Sequence, residues 1–405
     1  MRTLKTRPIR DYALGIYDGP HATPSESSEG AVFLGIKNMT EDGRLDFSEI
    51  RHVSEDELPR WTKRVTPQPG DVVFTYEATL HRYAIIPEDF RGCLGRRVAL
   101  IRPDPQKADS RFLLYYFLSR RWRSVMESFI ITGATVDRIP LEKFPDFPAT
   151  LPDLPVQTAI ADTLSAYDGL IENNRRRMVL LEKAARLLYQ EWFVHLRFPG
   201  HEHTRIVHGL PEGWAQRPLG EVAEFRLGKM LDQEKNRGDL MPYLANVNVR
   251  WGEFDLRDLR EMRFEQDEME AFGLKFGDIV MCEGGEPGRC AIWKEQMPRM
   301  MIQKAIHRIR CRENMDHAYL YHSLRHQGQS GHLGTLFTGA TIKHLPREKL
   351  AKVTTVVPPL RLMDLFSKHT HPIESQLELL EAANRRASRA RDLLLPRLMT
   401  GEIAV

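Results

Sequence analysis

Between residues 164 and 192, apolar side chains recur at Leu164, Tyr167, Ile171, Met178, Leu181, Ala185, Leu188 and Trp192, and Asn174 takes the one strongly polar place in the series. The steps alternate between three and four residues, which is a heptad seam and predicts a helix lying lengthwise against another helix. A second seam occurs in the same chain at Ile373, Leu377, Leu380, Asn384, Ala387, Arg391, Leu394 and Leu398. The two are expected to pair antiparallel through Ile171, Met178, Leu181 and Leu188 on one side and Ile373, Leu377, Leu380 and Leu394 on the other. Arg391 and Pro396 are expected to weaken the end of the second seam, since proline has no amide hydrogen to continue a helix. For Trp192 and Phe193, packing against the partner helix is the favoured reading.

Ahead of each seam the pattern shortens to runs rich in β-branched and aromatic residues. "DVVFTY" from Asp71, "RVALIR" from Arg97 and "DIVMC" from Asp278 read as strands, and "SRFLLYYFLSRRWRSVMES" from Ser110 reads as an amphipathic helix. These runs occur twice. "ITGATVDRIPLEKF" at 131–144 returns as "FTGATIKHLPREKL" at 337–350, Gly70-Asp71 returns as Gly277-Asp278, and "FLGIKNMT" from Phe33 faces "YLANVNVR" from Tyr243. Blocks repeated in one order at nearly one offset indicate duplication of a whole unit. The expected fold is α+β: globules at 1–149 and 205–355, followed by helical regions at 150–204 and 356–405.

Composition narrows the function mainly by exclusion. The chain of 405 residues carries a net charge of +3, has a mean hydropathy of -0.41 and contains no apolar run long enough for a membrane helix. A cytoplasmic protein with no membrane partner is expected, because the opening "MRTLKTRPIRDYALG" also lacks the apolar core of a signal peptide. Cys93, Cys282, Cys290 and Cys311 form no CxxC pair, so reduced structural thiols are expected. His195, His201, His203 and His208 fit no zinc template, and His322 with His326 faces Tyr116 and Arg120 in the first copy, so no metal ligand set is read there.

Catalytic signatures are missing from the sequence. It has no phosphate-cradling GxxxxGK[ST], no GxGxxG after a strand, no GxSxG and no HExxH, and it lacks the Asn-Pro-Pro-aromatic or Asp-Pro-Pro-aromatic tetrapeptide of amino-methyltransferases. Asp71 with Glu77, and Asp278 with Glu283, leave a nuclease as a remote alternative. The basic clusters "RGCLGRR", "NNRRR" and "NRRASRAR" read first as solvated helix faces, with contact to a polyanion as the other reading.

Four features together resemble the specificity subunit of type I restriction-modification enzymes over essentially the whole chain. They are "LPDLPVQTAIADTLSAYDGLIENNRRRMVLLEKAARLLYQEWFV" from Leu151, the two "TGAT" tetrapeptides, the Gly-Asp strands and the closing "LLPRLMTGEI". The departure is "PPLRLMDLFSKH" from Pro358, which replaces the usual Gln-led start of the second helix and leaves open how symmetrically the two helices bind their partners. The resemblance implies two target-recognition domains separated by long helices paired as an antiparallel coiled coil with pseudo-two-fold symmetry. It implies a non-catalytic protein that reads a split, asymmetric site in double-stranded DNA and docks two methyltransferase subunits, with restriction or translocase subunits as further partners. It implies no cofactor in this chain; S-adenosylmethionine, ATP and magnesium would belong to the partners. About 30 residues of helix span ~45 Å, more than the ~34 Å of one DNA turn, so such a rod could hold two readers about one turn apart. The alternative from another class is a coiled-coil assembly scaffold that does not read DNA.

Base reading requires directional donors and acceptors on loops, and loops that differ between the copies are where sequence choice is expected. The turn after the Gly-Asp strand offers Tyr76, Thr79, His81 and Arg82 in one copy and Glu283, Glu286 and Arg289 in the other. The "GIKNMT" and "ANVNVR" stretches offer Lys37, Asn38, Asn246, Asn248 and Arg250. The "TGAT" loops add Thr135 and Arg138, then Thr341, Lys343 and His344, with Gly133 and Gly339 expected to shape the loop and its neighbours to hold phosphate.

Overall fold

A computed structural model describes residues 5–25, 27–132, 136–232, 236–339, 341, 343–403 and 405. The chain forms two compact units, one made of residues 1–175 with 381–405 and the other of residues 176–380. Among the described residues, no helix is long and apolar enough to cross a membrane.

In the first unit, a four-stranded antiparallel sheet runs in the order Ala13–Asp18, Val98–Pro103, Val72–Thr75, Tyr83–Ile85. A three-stranded sheet orders Arg51–Val53, Ala31–Leu34 and Gly92–Leu94, the last two parallel. Lys5–Pro8 pairs antiparallel with Pro148–Leu151 and closes the globule. Val72–Thr75 is buried at all four positions, which is why Val72, Val73 and Phe74 follow one another without a polar alternation.

The second unit repeats this plan strand for strand. Its four-stranded sheet is Ala223–Leu227, Ile306–Cys311, Ile279–Cys282, Cys290–Ile292, and its three-stranded sheet is Arg260–Phe264, Asp239–Leu244, Met301–Ile302, again with a parallel last pair. Ala215–Pro218 closes on Thr354–Val357. The duplication read from the letters is therefore a duplication of topology. One difference from the sequence reading lies at Ser110–Ser128, which forms two helices, Ser110–Leu118 and Arg120–Ser128. Ser119 stands between them in an extended conformation and its hydroxyl accepts from the Trp122 amide, so a serine acting as an N-cap wins over helix continuation. In the second unit Arg325 stands at that place, and the helix His317–Gln329 runs on unbroken.

Both seams are helical. Leu154–Tyr189 forms the first long helix, ending in a π turn at Gln190–Val194, and Leu360–Thr400 forms the second. In the first unit, Asn174 donates to Asn384 at 2.9 Å and Asp168 receives Arg391 at 2.5 Å, while Ile160 and Leu164 share a core with Leu398. Partner numbers rise as the first helix is followed backwards, so the pairing is antiparallel. In the second unit, Trp192 and Tyr189 meet Phe366, and Glu182 and Ala185 face Ile373, Glu374 and Leu377, in the same direction. Ile171 and Leu380 are buried, and Met178, Leu181, Leu188, Ile373, Leu377 and Leu394 are half-buried. An asparagine pair inside a seam fixes register, because any slip would strand its amides among apolar side chains.

The end of the second helix corrects the expectation of weakness. Arg391 bonds to Asp168, which also accepts the Tyr115 hydroxyl, and the helix passes through Pro396 to Thr400. A charge is tolerated at a seam position here because it is paired. Each helix end then caps a core. The π turn keeps the neighbouring rings of Trp192 and Phe193 both inward, packed on Phe366, Trp214 and Tyr319. Leu398 and Met399 bury themselves likewise in the core of the first unit.

Gln157 and Met363 explain the unusual start of the second helix. Gln157 is buried, accepts from the Asp109 amide, and donates to the carbonyls of Lys107 and Pro152. Met363, at the equivalent place, is packed with Leu219, Leu320 and Phe366 in an apolar core. One copy ties loops by hydrogen bonds and the other fills the same position with apolar volume.

Candidate nucleic-acid interface

Each candidate loop grows from a strand fixed by a buried ion pair. Gly70 and Gly277 take positive φ, and the aspartate that follows turns inward. Asp71 accepts Nε and Nη2 of Arg102 at 2.9 and 2.8 Å plus the Gln68 amide. Asp278 accepts Nε and Nη2 of Arg310 at 2.7 and 2.6 Å plus the Lys275 amide. Hydrogen bonding to these carboxylates raises the pKa of both arginines. The pairs leave neither aspartate open to a metal, and Glu77 and Glu283 are engaged by Arg97 and His344. Among the described residues, no group of three or more His, Cys, Asp or Glu is placed to hold a metal ion.

After the strand, both copies make the same turn from different residues. Ala78 and His81 have φ of 68° and 62°, and Gly285 and Gly288 have φ of 80° and 89°. The conformation is left-handed at both positions, so the second copy uses glycine where the first accepts side chains. In the first copy Tyr76 is buried and donates to the Arg96 carbonyl, Arg82 pairs with Glu41, and Thr79 is exposed. His81 is half-buried, and burial together with nearby Arg123 lowers its pKa. In the second copy Arg289 is buried, with one nitrogen donating to the Asn246 carbonyl and another to Glu286 at 2.7 Å.

The residues on either side of each "TGAT" glycine pair with one another and are pinned to that turn. Ile131 and Arg138 exchange backbone hydrogen bonds, as do Thr338 and His344. The Ile139 amide reaches the Tyr76 carbonyl at 2.7 Å, and the Leu345 amide reaches the Glu283 carbonyl at the same distance. Gly339 has φ of 94°, as a loop-shaping glycine requires. Thr135 and Gly133 lie outside the described residues. Arg138, Thr341, Lys343 and His344 are exposed.

The third stretch is a short turn braced from inside. Asn38 accepts the Gly35 amide and donates to the carbonyls of Asp46 and Glu49, all at 3.0 Å. Asn248 accepts the Ala245 amide and donates to the Asp255 carbonyl, also at 3.0 Å. Proposed from the sequence as base readers, Asn38 and Asn248 are buried with their amides turned into the loop, so of the candidates in these stretches the exposed ones are Lys37 and Arg250. The loops converge: the Asn246 amide donates to the Gly284 carbonyl in the second unit. In the first, Lys37 and Asn38 line a groove of about 520 Å³ with Arg51, Arg96, Arg97 and Glu49.

The groove brings in Arg51, Arg96 and Arg97, which the loop comparison had passed over. "RGCLGRR" stood out as a basic cluster, but its link to the other loops comes from the parallel pairing of Gly92–Leu94 with Ala31–Leu34, a non-local contact. With Arg97 paired to Glu77, Lys37, Arg51 and Arg96 still outnumber Glu49, and the surface is suited to a polyanion.

Residues 25–183 match the family model described as type I restriction modification DNA specificity domain. Over 373 residues, 88% of this chain and 82% of the relative, the chain is 21% identical to the type I restriction enzyme MjaIX specificity subunit of Methanocaldococcus jannaschii. It is 20% identical to the putative type I restriction enzyme MjaX specificity subunit of the same organism, across 99% of this chain and 94% of that one. In structure it is similar to the type I restriction-modification system S subunit from M. genitalium, with a TM-score of 0.56 and 16% identity, covering 98% and 96% of the two chains. That likeness is one of fold.

Proposed function

We infer that this chain, which belongs to the family of type I restriction-modification specificity subunits, is the subunit that recognises the DNA target. The observation that carries the reading is the pair of globules with one topology, the same braced loops and different outward side chains. Duplicated frames with unlike faces suit a target of two unlike halves. The ligand we propose is double-stranded DNA. Phosphate would be held by exposed cations such as Arg138, Arg250 and Lys343, and bases would be read from the turns at 76–82 and 283–289 and from the braced turns at 35–40 and 245–250.

The proposed role is non-catalytic. The acids a nuclease would need are committed to Arg102, Arg310, Arg97 and His344. Work on the DNA is proposed to belong to two methyltransferase subunits docked on the helices, with S-adenosylmethionine, ATP and magnesium bound by partner subunits and not by this chain.

Long-read methylation mapping in a host expressing the chain with its modification subunit tests the reading. A bipartite motif with unlike halves, dependent on this chain, is expected. A stable complex that yields no motif would instead favour an assembly scaffold. Binding of the complex should also fall steeply with salt.

A further inference from the structure

The braced turn was duplicated with its frame intact and its outward position changed. Residues 31–39 and 241–249 show the same order of buried, half-buried and exposed positions, and their asparagines make matching amide contacts at 3.0 Å. The one exposed place in both stretches is Lys37 in the first and Val247 in the second. Val247 is 58% exposed on a rigid turn, next to Asn246, whose amide and carbonyl are tied to Gly284 and Arg289. Lys37 stands at the rim of the groove with Arg51, Arg96 and Arg97.

We propose that Lys37 and Val247 are equivalent specificity-determining residues, Lys37 selecting a guanine and Val247 a thymine in the half-site that each globule meets. This rests on the DNA-reading function inferred above. Guanine presents two acceptors, O6 and N7, in the major groove, and an ammonium can serve both. Thymine presents a methyl group, which an apolar side chain can contact and which cytosine lacks. Because the asparagine holds the turn from inside, the outward residue changes without disturbing the frame. A duplicated reader can therefore acquire a second specificity by substitution at this place.

The test selects bound sequences from a random duplex pool, using the chain assembled with its modification subunits and the variants K37V, V247K, K37R and V247I. Both positions are exposed, so unchanged melting temperatures are expected and are checked first. K37V should lose about tenfold in preference at one guanine of one half-site, and V247K a similar factor at one thymine of the other, with the remaining half unchanged. K37R and V247I should keep the wild-type motif. The wild-type motif persisting in K37V and V247K, or uniform weakening of both halves as a phosphate contact would give, overturns the proposal. If the wild-type complex itself enriches no bipartite motif, the DNA-reading function fails and the proposal falls with it.

Discussion

The two units share every strand pairing of their main sheets yet are filled with different chemistry. The first packs Phe112, Tyr116, Phe117, Trp122, Phe144 and Phe147 into an aromatic core of mostly tilted rings. The second places His307, His322, Arg308 and Arg289 among its buried residues. Where Tyr116 stands in the first copy, His322 stands in the second, ringed by Tyr189, Tyr321 and Phe366. A topology held by backbone pairing and by the same Asp–Arg pair in each globule tolerates such divergence. The comparison thus separates what the plan requires from what each copy chose.

The ion pairs belong to the requirement, so breaking one should have the largest effect. Asp71→Ala takes both carboxylate hydrogen bonds from Arg102 and leaves its bond to the Thr66 carbonyl, and Asp278→Ala strips the bidentate partner from Arg310. Each should cost up to about 3–5 kcal/mol, the figure for a fully buried pair, because the arginine left behind reaches solvent in part. Hydrogen exchange resolved by segment should show opening first in the unit carrying the substitution. Equal loss from substitution of an exposed pair such as Arg123 with Glu127 would show that the buried pairs hold no special place.

That the Gly-Asp strands recur could be read directly, since the letters are the same in both copies. Their reason could not, because the arginine partners lie about 31 residues downstream and only the strand register brings them opposite. The seams were legible through their period, including the buried Asn174, whereas the pairing of Arg391 with Asp168 depended on knowing which helix faces came together. Among the candidate site residues, loop membership was legible and side-chain direction was not. Lys37 and Asn38 are neighbours in "GIKNMT", yet one faces outward and the other braces the loop, a choice made by carbonyls of residues 46 and 49. Val247 drew no attention in the sequence, because an apolar residue in a strand-like run reads as core.

The histidines of the second unit give the next largest effect, and its sign follows from burial. Desolvation pushes His322 down to about 3, with nearby Arg325 acting in the same direction, and it lowers His307 and His317 too. In the unfolded chain these groups titrate near 6.5. Above that pH both states are neutral and the histidines contribute nothing to pH dependence. Below it the unfolded chain takes up protons that folded His322 refuses, so stability falls as pH drops from about 6.5 towards 3. The loss is of order a few kcal/mol for His322. His322→Phe should flatten the fall in urea midpoint over this window, and the first unit, whose lowered histidine is the half-buried His81, should fall less. An unchanged slope in H322F would place the acid sensitivity elsewhere.

The smallest effect concerns the turns that differ most between the copies. Ala78 and Gly285 occupy one left-handed position, as do His81 and Gly288. A left-handed alanine costs about 1–2 kcal/mol of backbone strain, but replacing it with glycine adds freedom to the unfolded chain and returns about half of that. Ala78→Gly should therefore stabilise the first unit by less than about 1 kcal/mol. The reverse exchange is not its mirror. A Cβ on Gly285 would come within 2.5 Å of the Asn246 side-chain nitrogen, so Gly285→Ala adds a clash to the strain and should cost about 2 kcal/mol. Because Asn246 joins the braced turn to Gly284, that substitution should also disturb the loop bearing Val247, and A78G should leave its own half-site preference intact. Thermal melts together with sequence selection on A78G and G285A check both. Equal and opposite stability changes would mean that the clash is relieved by rotating the asparagine, and that the two loops of the second globule are less tightly joined than the hydrogen bonds indicate.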